Sequence, residues 1–411
     1  MAADGSGDGA RGVRAVGVIG VVGAGTMGAG IAQLAVEAGH EVLLHDIDAA
    51  AIERGRSRIR GGLERRAARL DLDPDSAEAW VAGRLDRLRA APTLADVAGA
   101  KPELVVEAVL EDLEPKRALF RTLDEQLPSA ILATNTSALS VAAIAAATGR
   151  PGRVLGLHFF NPAPVMPLVE VVVAPATDPA VADRASAIVA AWGKVPVRCT
   201  DTAGFIVNRV NRPFTLEALA ILAEGGSTIE AIDRAIRGAG FPMGPFELMD
   251  LVGIDVNLAA ARGICAAAVE LGDPLADRFR PSPIQEALVQ AGRLGRKTDG
   301  GFFAYDESGR VAGPLPGSAG PGDPDGHLAD AEIVRRITLA IVNEAYRALG
   351  EQIATAEDID LALRLGAAHP SGPFERATAL GGPSAVRSAL LEFADRGPRF
   401  DPAPLLSPPP E

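Results

Sequence analysis

The chain has 411 residues, a formal net charge of −13 and only two cysteines, Cys199 and Cys265. This length exceeds one ordinary domain, so we expect two or three domains. The negative charge argues against a nucleic-acid partner, because nucleic-acid binding needs a dominant basic surface. Two cysteines provide neither a disulfide framework nor a metal-ligand spacing, so we expect no metal site.

The ends and apolar runs of the chain bear on its location. No apolar run reaches the roughly 18–20 residues of a membrane span, and we expect no membrane partner. The start, MAADGSGDGARG, lacks the positive and apolar regions of a signal peptide. The sequence therefore predicts a cytoplasmic protein with disordered tails over residues 1–14 and 401–411.

The first half of the chain alternates apolar strands with amphipathic helices. RAVGVIGVVGAG predicts a buried strand, TMGAGIAQLAVEAG a helix, and HEVLLHDID the next strand. An Arg-rich helical stretch follows, and later strands are predicted at ELVVEAV, AILATNTS, RVLGLHFF, LVEVVVA and KVPVRC. This alternation predicts an α/β fold with a Rossmann-type, doubly wound, mostly parallel sheet over residues 15–200.

The second half of the chain is helical and contains a repeat. Residues 209–253 align with residues 336–381, and GPFE occurs at corresponding places in both segments. A repeat of this length indicates a duplicated domain rather than a solenoid. We therefore expect an all-α carboxyl-terminal domain in two copies, residues 201–305 and 331–400, joined by a Gly- and Pro-rich linker over residues 306–330.

A glycine-rich turn follows the first strand. Gly23, Gly25 and Gly28 have GxGxxG spacing, and the next strand ends in Asp46. Such glycines permit a tight turn, close approach of the backbone to a pyrophosphate, and close helix packing, while the carboxylate binds the adenosine ribose and repels a 2′-phosphate. The sequence therefore predicts an NAD site; a glycine-rich turn of another doubly wound fold is the alternative. The predicted loop residues are Gly23, Ala24, Gly25, Thr26, Met27 and Gly28.

The segment LGLHFFNPAPVMPLVEVV places His158 at the end of one apolar run and Glu170 inside the next. A buried titratable group costs free energy unless it is paired or used. Beside a nicotinamide cofactor, a histidine can take the hydroxyl proton of an alcohol, and a carboxylate on its other nitrogen fixes the tautomer. We interpret the two residues as an acid–base pair. The alternative is a satisfied core histidine with an incidental glutamate.

Three polar residues stand near the predicted sheet edge or the start of the helical region. Asn135 and Ser137 follow a strand in TNTSALS, where an open sheet binds its cofactor and substrate. A helix N-cap is the alternative for both, and Ser137 can serve as both cap and ligand. Asn208, in DTAGFIVNR, lies on an otherwise apolar stretch, which a bare N-cap explains poorly.

Six blocks of the chain resemble, in order, those of the L-3-hydroxyacyl-CoA dehydrogenases. The resemblance implies NAD-dependent, reversible oxidation of an L-3-hydroxyacyl-CoA thioester to the 3-ketoacyl-CoA, in fatty-acid or related acyl-CoA metabolism. It implies that His158 is the catalytic base and Glu170 its partner, and that Ser137 and Asn208 hold the substrate's oxygen and thioester region. The blocks are VIGVVGAGTMGAGIAQ, VVEAVLEDLEPKRALF, TNTSALS, GLHFFNPAPVMPLVEVV, DTAGFIVNRV and GRKTDGGFFAY.

The same resemblance implies further contacts. Glu111 and Lys116 fall on cofactor positions, Lys116 also beside the CoA, although a solvated helix start is the alternative for both. Asn161 approaches the nicotinamide end, and Lys297 matches a cofactor-site lysine. The Arg-rich residues 53–70 correspond to a basic hairpin beside the CoA phosphates, for which arginine is well suited. A solvated helix face is the alternative.

Two other classes of function remain open. A β-hydroxyacid dehydrogenase has a similar amino-terminal pattern and relies on a lysine, for which Lys194 is the nearest candidate. A non-catalytic cofactor-binding protein of the same fold is the other class.

The second helical copy carries RRITLAIVNEA in place of FIVNR, with no clear equivalent of Asn208. We expect it to pack on the first copy, so that the protein is a monomer with an internal pseudo-dimer, or a homodimer.

Overall fold

The computed structural model describes residues 17–306, 308, 311–314 and 328–407. The chain divides into two compact units, with the boundary between Val197 and Arg198. The predicted tail over residues 1–14 and most of the predicted linker lie outside the described residues.

The first unit is an α/β domain built on one eight-stranded sheet. Its strands are short and apolar because most are covered on both faces, as expected for a parallel sheet. Its elements are β1 (Val18–Val22), α1 (Thr26–Glu37), β2 (Glu41–His45), α2 (Ala49–Ala67), α3 (Pro74–Leu85), β3 (Leu88–Ala90), α4 (Leu94–Gly99), β4 (Leu104–Glu107), α5 (Leu113–Gln126), β5 (Ile131–Thr134), α6 (Val141–Ala145), β6 (Val154–Phe159), β7 (Leu168–Val173), α7 (Pro179–Ala191) and β8 (Val195–Thr200).

The strand order places the predicted site residues at one edge of the sheet. The order is β3-β2-β1-β4-β5-β6-β7-β8, with β3 to β6 parallel and β7 antiparallel to β6. The carboxyl ends of β1, β2, β4, β5 and β6 therefore lie at the same edge, and the order reverses between β1 and β4, where open sheets bind dinucleotides. The predicted Rossmann-type fold class is confirmed.

The second unit is helical apart from one short hairpin. Among the described helices, α14 (Asp330–Gly350), with 21 residues, and α2 of the first unit, with 19, are the longest, and α14 is buried along most of its length. The elements of this unit are α8 (Val207–Val210), α9 (Arg212–Ala223), α10 (Ile229–Gly238), α11 (Pro245–Val252), α12 (Ile254–Glu270), α13 (Pro283–Gln290), β9 (Phe303–Tyr305), β10 (Val311–Pro314), α14 (Asp330–Gly350), α15 (Ala356–Gly366), α16 (Pro373–Ala379) and α17 (Pro383–Leu391).

The two helical copies repeat the same local bonding. Asp233 accepts hydrogen bonds from two backbone amides at the start of α11, both at 3.0 Å, and Asp360 accepts the equivalent pair at the start of α16, at 2.7 and 3.0 Å. At Gly244 and Gly372, which precede these helices, an added β-carbon would lie 2.2 Å from the aspartate. The sequence repeat is therefore also a repeat of structure.

The copies exchange ion pairs reciprocally. In the repeat, an arginine and two glutamates of the first copy correspond to an arginine and two glutamates of the second, and each arginine binds both glutamates of the other copy. Such mutual exchange is the pattern of a two-fold interface. The N–O distances of these bonds lie between 2.5 and 3.1 Å. The pairs are Arg209 with Glu344 and Glu351, and Arg336 with Glu217 and Glu224.

Two aromatic rings, one from each copy, meet where an approximate two-fold axis would relate the copies. Phe241 and His369 occupy equivalent positions, before GPFE in each copy, and their ring centroids are 4.9 Å apart. The Nε2 atom of His369 also lies 2.8 Å from the side-chain oxygen of Asn211. Equivalent residues can touch only where an axis relates the copies.

Two boundaries differ from the sequence expectations. Residues 401–407, predicted as disordered tail, are ordered: Ala403 and Leu406 are buried in the core of the second copy, and Asn343 binds the backbone of this segment. The Pro-rich composition concealed these apolar anchors. Within the predicted linker, β10 pairs with β9.

Over the described residues, no single helix is both long and apolar enough to cross a bilayer. Helices α11 and α12 are long and apolar enough only when taken together, and the chain bends by 100° between them.

Candidate active site

The loop between β1 and α1 has the backbone that a dinucleotide site requires. Gly23 has a φ of +105°, and a β-carbon there would lie 2.5 Å from the carbonyl oxygen of Ala108. A β-carbon on Gly28 would lie 1.8 Å from the carbonyl oxygen of Gly23, whereas one on Gly25 would meet nothing within 4 Å. The outer glycines are thus required by the fold, and the middle one leaves the backbone open to a ligand.

The start of α1 fits a pyrophosphate. Its first turn carries no acidic residue and its N-cap makes no side-chain hydrogen bond, so the helix amides and dipole remain available to an anion. The Asp46 carboxylate holds the loop, accepting the amide of Ala24 at 2.8 Å and that of Ile47 at 2.8 Å. A neutral loop with a carboxylate at the end of β2 fits NAD and disfavours the 2′-phosphate of NADP.

His158 and Glu170 face each other across two strands. They are directly opposed in the antiparallel register of β6 and β7, and the His158 Nδ1 atom lies 2.5 Å from a Glu170 carboxylate oxygen. Glu170 is fully buried and His158 is 6 % exposed. The carboxylate fixes the proton on Nδ1, so Nε2 is the nitrogen that can accept a proton. The predicted pairing of these two residues is present.

Asn135 connects the ends of two neighbouring strands. Its side-chain oxygen accepts the amide of Phe159 at 2.9 Å, and its own amide donates to the carbonyl of Glu107 at 2.8 Å. Asn135 thus fixes the strand end that carries His158. Beside it, the ring of Phe160 lies 4.5 Å from the imidazole ring of His158, centroid to centroid.

A buried cluster of charged residues lies at the end of β4, and its central residue, Glu107, was not predicted from the sequence. Glu107 is fully buried and accepts hydrogen bonds from Lys116 and Thr134, each at 2.7 Å. The Lys116 ammonium, 1 % exposed, also lies 3.2 Å from Glu111. The sequence feature that could have indicated Glu107 is its position as a carboxylate at the end of the apolar run LVVE. The structure shows Lys116 as an ion-pair partner, and its contact with ligand stays a prediction.

Glu111 connects this cluster to Ser137. One Glu111 oxygen accepts the Thr136 hydroxyl at 2.5 Å and the Ser137 amide at 2.9 Å, and the Ser137 hydroxyl lies 3.4 Å away. Burial raises the pKa of the Glu111 carboxyl, but the Lys116 ammonium and the hydroxyl and amide donors outweigh it and hold the pKa below its usual range. The cluster therefore keeps a negative charge beside Ser137 at neutral pH.

The loop between β6 and β7 carries Asn161, which is exposed. Lys194 holds this loop from within: it is 7 % exposed and donates to the carbonyl oxygens of Ala163 at 2.6 Å and Met166 at 2.8 Å. Burial lowers the pKa of Lys194 to about 8. These bonds assign the lysine to loop structure, which removes the support for the β-hydroxyacid dehydrogenase alternative that it had provided.

We expect Lys194→Met to lower the free energy of unfolding by about 2–3 kcal/mol, because it leaves two carbonyl oxygens without their donor. Chemical denaturation measures this loss. Lys101→Met, at an exposed lysine, is the matched control and should change stability by less than about 0.5 kcal/mol. A Lys194→Met protein of unchanged stability that has lost all turnover would instead make the lysine a chemical participant.

The remaining predicted residues lie elsewhere in the chain. Asn208 is half-buried on α8 of the helical unit. Lys297, in the same unit, binds both oxygens of Asp255 at 2.6 and 2.7 Å. The Arg-rich segment forms most of α2, whose arginines are largely exposed. Over the described residues, no group of three or more histidine, cysteine, aspartate or glutamate side chains could hold a metal.

A glycine loop that fits NAD and a buried histidine–carboxylate pair at the same sheet edge define a dinucleotide-dependent dehydrogenase. Comparison with known families agrees. Residues 18–202 match the NAD binding domain of 3-hydroxyacyl-CoA dehydrogenase, and residues 204–305 and 333–407 match its C-terminal domain. The chain belongs to the 3-hydroxyacyl-CoA dehydrogenase family. The predicted family, enzyme class and NAD cofactor are thereby confirmed.

Individual relatives extend this result. The chain is 47 % identical to 3-hydroxyadipyl-CoA dehydrogenase of Escherichia coli K12, over 69 % of this chain and 57 % of that protein, little more than half its length. It is 40 % identical to 3-hydroxybutyryl-CoA dehydrogenase of Bradyrhizobium diazoefficiens, over 71 % and 95 %. The crystal structure of 3-hydroxybutyryl-CoA dehydrogenase from Escherichia coli K12 superposes with a TM-score of 0.83 at 36 % identity, covering 95 % of this chain and 97 % of that one.

Proposed function

We propose that the protein oxidises L-3-hydroxyacyl-CoA thioesters to 3-ketoacyl-CoA with NAD, reversibly, and that His158, oriented by Glu170, takes the hydroxyl proton. The observation that carries this proposal is the 2.5 Å contact between His158 and the buried Glu170, at the sheet edge that also carries the glycine loop. The names of the relatives above support an acyl-CoA substrate and give two candidate acyl groups, hydroxybutyryl and hydroxyadipyl.

In this mechanism the C3–H and O–H bonds of the substrate both break. NAD, when bound, supplies the acceptor for the hydride that leaves C3. His158 takes the hydroxyl proton on Nε2 and becomes an imidazolium, which the Glu170 carboxylate stabilises. Both residues are nearly or fully buried, and electrostatic interaction between them is stronger in a low-dielectric environment than in water. In the reverse direction the same imidazolium returns the proton to the substrate oxygen.

Further roles follow the family pattern as proposals. We assign the substrate oxygen to Ser137, the thioester region to Asn208 and the vicinity of the CoA to Lys116. The Glu111 hydrogen bonds to the Ser137 amide and hydroxyl support this role for Ser137, because they fix its position. The cofactor contacts proposed besides the glycine loop and Asp46 are Glu111, Lys116, Asn135, Ser137, Asn161 and Lys297.

We propose that the second helical copy takes the place of a partner subunit, so that the protein is a monomer with an internal pseudo-dimer. The reciprocal ion pairs between the copies support this, because they fill within one chain an interface of two-fold type. Sedimentation of the full-length protein tests it, and an obligate dimer through the first copy would contradict it. A cut near Gly317, which lies outside the described residues, should expose the first copy's apolar face.

Cofactor choice gives the direct test of the proposed function. With 3-hydroxybutyryl-CoA, we expect rapid formation of NADH from NAD and at most weak formation of NADPH from NADP, both followed by absorbance, because Asp46 repels a 2′-phosphate. Asp46→Ala should narrow this preference while turnover remains. Asp48→Ala, two residues on, is the control and should leave the preference as it is. Equal kcat/KM for both cofactors in the unmodified protein would contradict the role of Asp46, and no turnover of any 3-hydroxyacyl-CoA would contradict the proposed function.

The cytoplasmic location and the absence of nucleic-acid and membrane partners stay predictions from the sequence.

A further inference from the structure

Arg212, the first residue of α9, is a buried cation without a counterion. It is 6 % exposed, and within the described part of the chain its guanidinium makes one hydrogen bond, a long one from Nη1 to the carbonyl oxygen of Asn257 at 3.4 Å. Its Nε atom is buried and has no acceptor. No carboxylate of the described chain lies within 4.0 Å of the guanidinium. Burial alone lowers the pKa of Arg212 to about 10.

Three other buried arginines of the helical unit have carboxylate partners. A fourth, Arg347, donates to a backbone carbonyl and is stabilised at longer range by the charges of Glu344, Asp273 and Asp401. Arg209, Arg278 and Arg336 are each less than a tenth exposed, and each binds carboxylates from two glutamate or aspartate residues. Removing a guanidinium from water costs several kcal/mol unless an anion compensates it. The protein supplies that anion for these three arginines and not for Arg212.

The second copy shows that the helix itself does not need this charge. The repeat pairs Arg209 with Arg336, which places Leu339 at the position of Arg212. Leu339 is 1 % exposed, so an apolar side chain is buried there without penalty. The charge is therefore confined to the copy that contains Asn208, the residue to which we assign the thioester region.

Arg212 lies close to Asn208 on the helical path. Asn211 is both the C-cap of α8 and the N-cap of α9, with φ −83° and ψ −3°, and its amide donates to the carbonyl of Val207 at 3.0 Å, so a single residue joins the two helices. Four residues of helical rise correspond to about 6 Å. The span is comparable to that of a six-carbon acyl chain. A ligand whose thioester is held by Asn208 can thus place the far end of its acyl group beside Arg212.

We propose that Arg212 binds a carboxylate at the far end of the acyl group, and that the preferred substrates are CoA thioesters of 3-hydroxy dicarboxylic acids. This inference rests on the proposed function. A carboxylate would accept hydrogen bonds from the guanidinium and neutralise it in the dry environment, which makes it a strong determinant of specificity. An acyl chain ending in a methyl group leaves the cation unpaired and should be a poorer substrate.

Two substrates of equal length test the proposal. We expect kcat/KM with NAD to be about 10- to 10³-fold higher for 3-hydroxyadipyl-CoA than for 3-hydroxyhexanoyl-CoA, the range typical of a desolvated charge pair. Arg212→Met should abolish this ratio, mainly by raising KM for the dicarboxylic substrate, and Arg212→Lys should restore part of it. Arg335→Met, on α14 of the second copy, removes a partly exposed guanidinium and should leave the ratio as in the unmodified protein.

The outcomes separate this inference from the proposed function. Oxidation of both thioesters at similar kcat/KM overturns the assignment of Arg212 and leaves the proposed function standing. A preference that persists in Arg212→Met also overturns it. Oxidation of neither thioester contradicts the proposed function itself. Should Arg212→Met fail to fold, the ratio measured on the unmodified protein and on Arg212→Lys still decides.

Discussion

His158→Gln is expected to lower kcat by about 10²–10⁴-fold, the range for a positioned acid–base group, while NADH binding is retained. Glutamine preserves size and polarity but cannot accept the hydroxyl proton. Glu170→Gln should also lower kcat strongly, because the imidazolium then loses a fully buried countercharge. The rate of NADH formation, followed by absorbance, measures turnover, and NADH fluorescence measures cofactor binding.

The matched control is His40→Gln. His40 is also buried in the first unit, at 4 % exposure, but its Nδ1 atom pairs with the carbonyl oxygen of Gly17, at the start of β1 and far along the strands from their carboxyl ends. Turnover per folded molecule should be unchanged in this variant. Near-normal kcat in His158→Gln would end the proposed mechanism, and near-normal kcat in Glu170→Gln would reduce the glutamate to a strand-end residue.

Arg336→Met should lower the free energy of unfolding of the helical unit by about 2–4 kcal/mol, because it removes one of the two arginines that bind the buried Glu217 and leaves only Arg399. Arg336 is 1 % exposed and Glu217 is fully buried. Arg209→Met should have a similar effect, since it breaks the equivalent bonds of the other copy. Chemical denaturation followed by circular dichroism gives both values.

Two further variants sharpen this result. The double variant Arg336→Met, Glu217→Gln should be less destabilised than the sum of its single changes, because the two charges compensate each other. Arg335→Met removes only the partly exposed pair with Glu392 and should cost less than about 1 kcal/mol. Equal effects of Arg335→Met and Arg336→Met would show that the reciprocal pairs do not stabilise the contact between the copies.

The local sequence pattern was enough to predict the glycine loop after the first strand and the pairing of His158 with Glu170. Three glycines between a strand and a helix have few structural solutions, and two titratable residues at the ends of apolar runs must meet a partner. The sequence could not show that β6 and β7 are antiparallel with these residues in direct register. That register depends on which strands are neighbours, which is a property of the folded sheet.

Other features depended on tertiary partners that no local pattern reveals. Glu107 stands after an apolar run much as many strand-end carboxylates do, and only the fold brings Lys116 and Thr134 to it. The motif that contains Lys116 predicted a ligand contact, which stays a prediction, but it did not predict the buried ion pair with Glu107. Arg212 likewise resembles its neighbour Arg209 in sequence, and their difference appears only when the counterions are located.

The contact between Phe241 and His369 has a consequence for how this protein can change over evolutionary time. In a dimer of identical chains, a residue on the axis meets its own duplicate, so every substitution is made on both sides at once. Here the two sides are encoded separately. One can therefore keep a phenylalanine while the other acquires a histidine that pairs with Asn211. Because both copies lie in one chain, a substitution can change one copy while the other stays constant, as in a heterodimer.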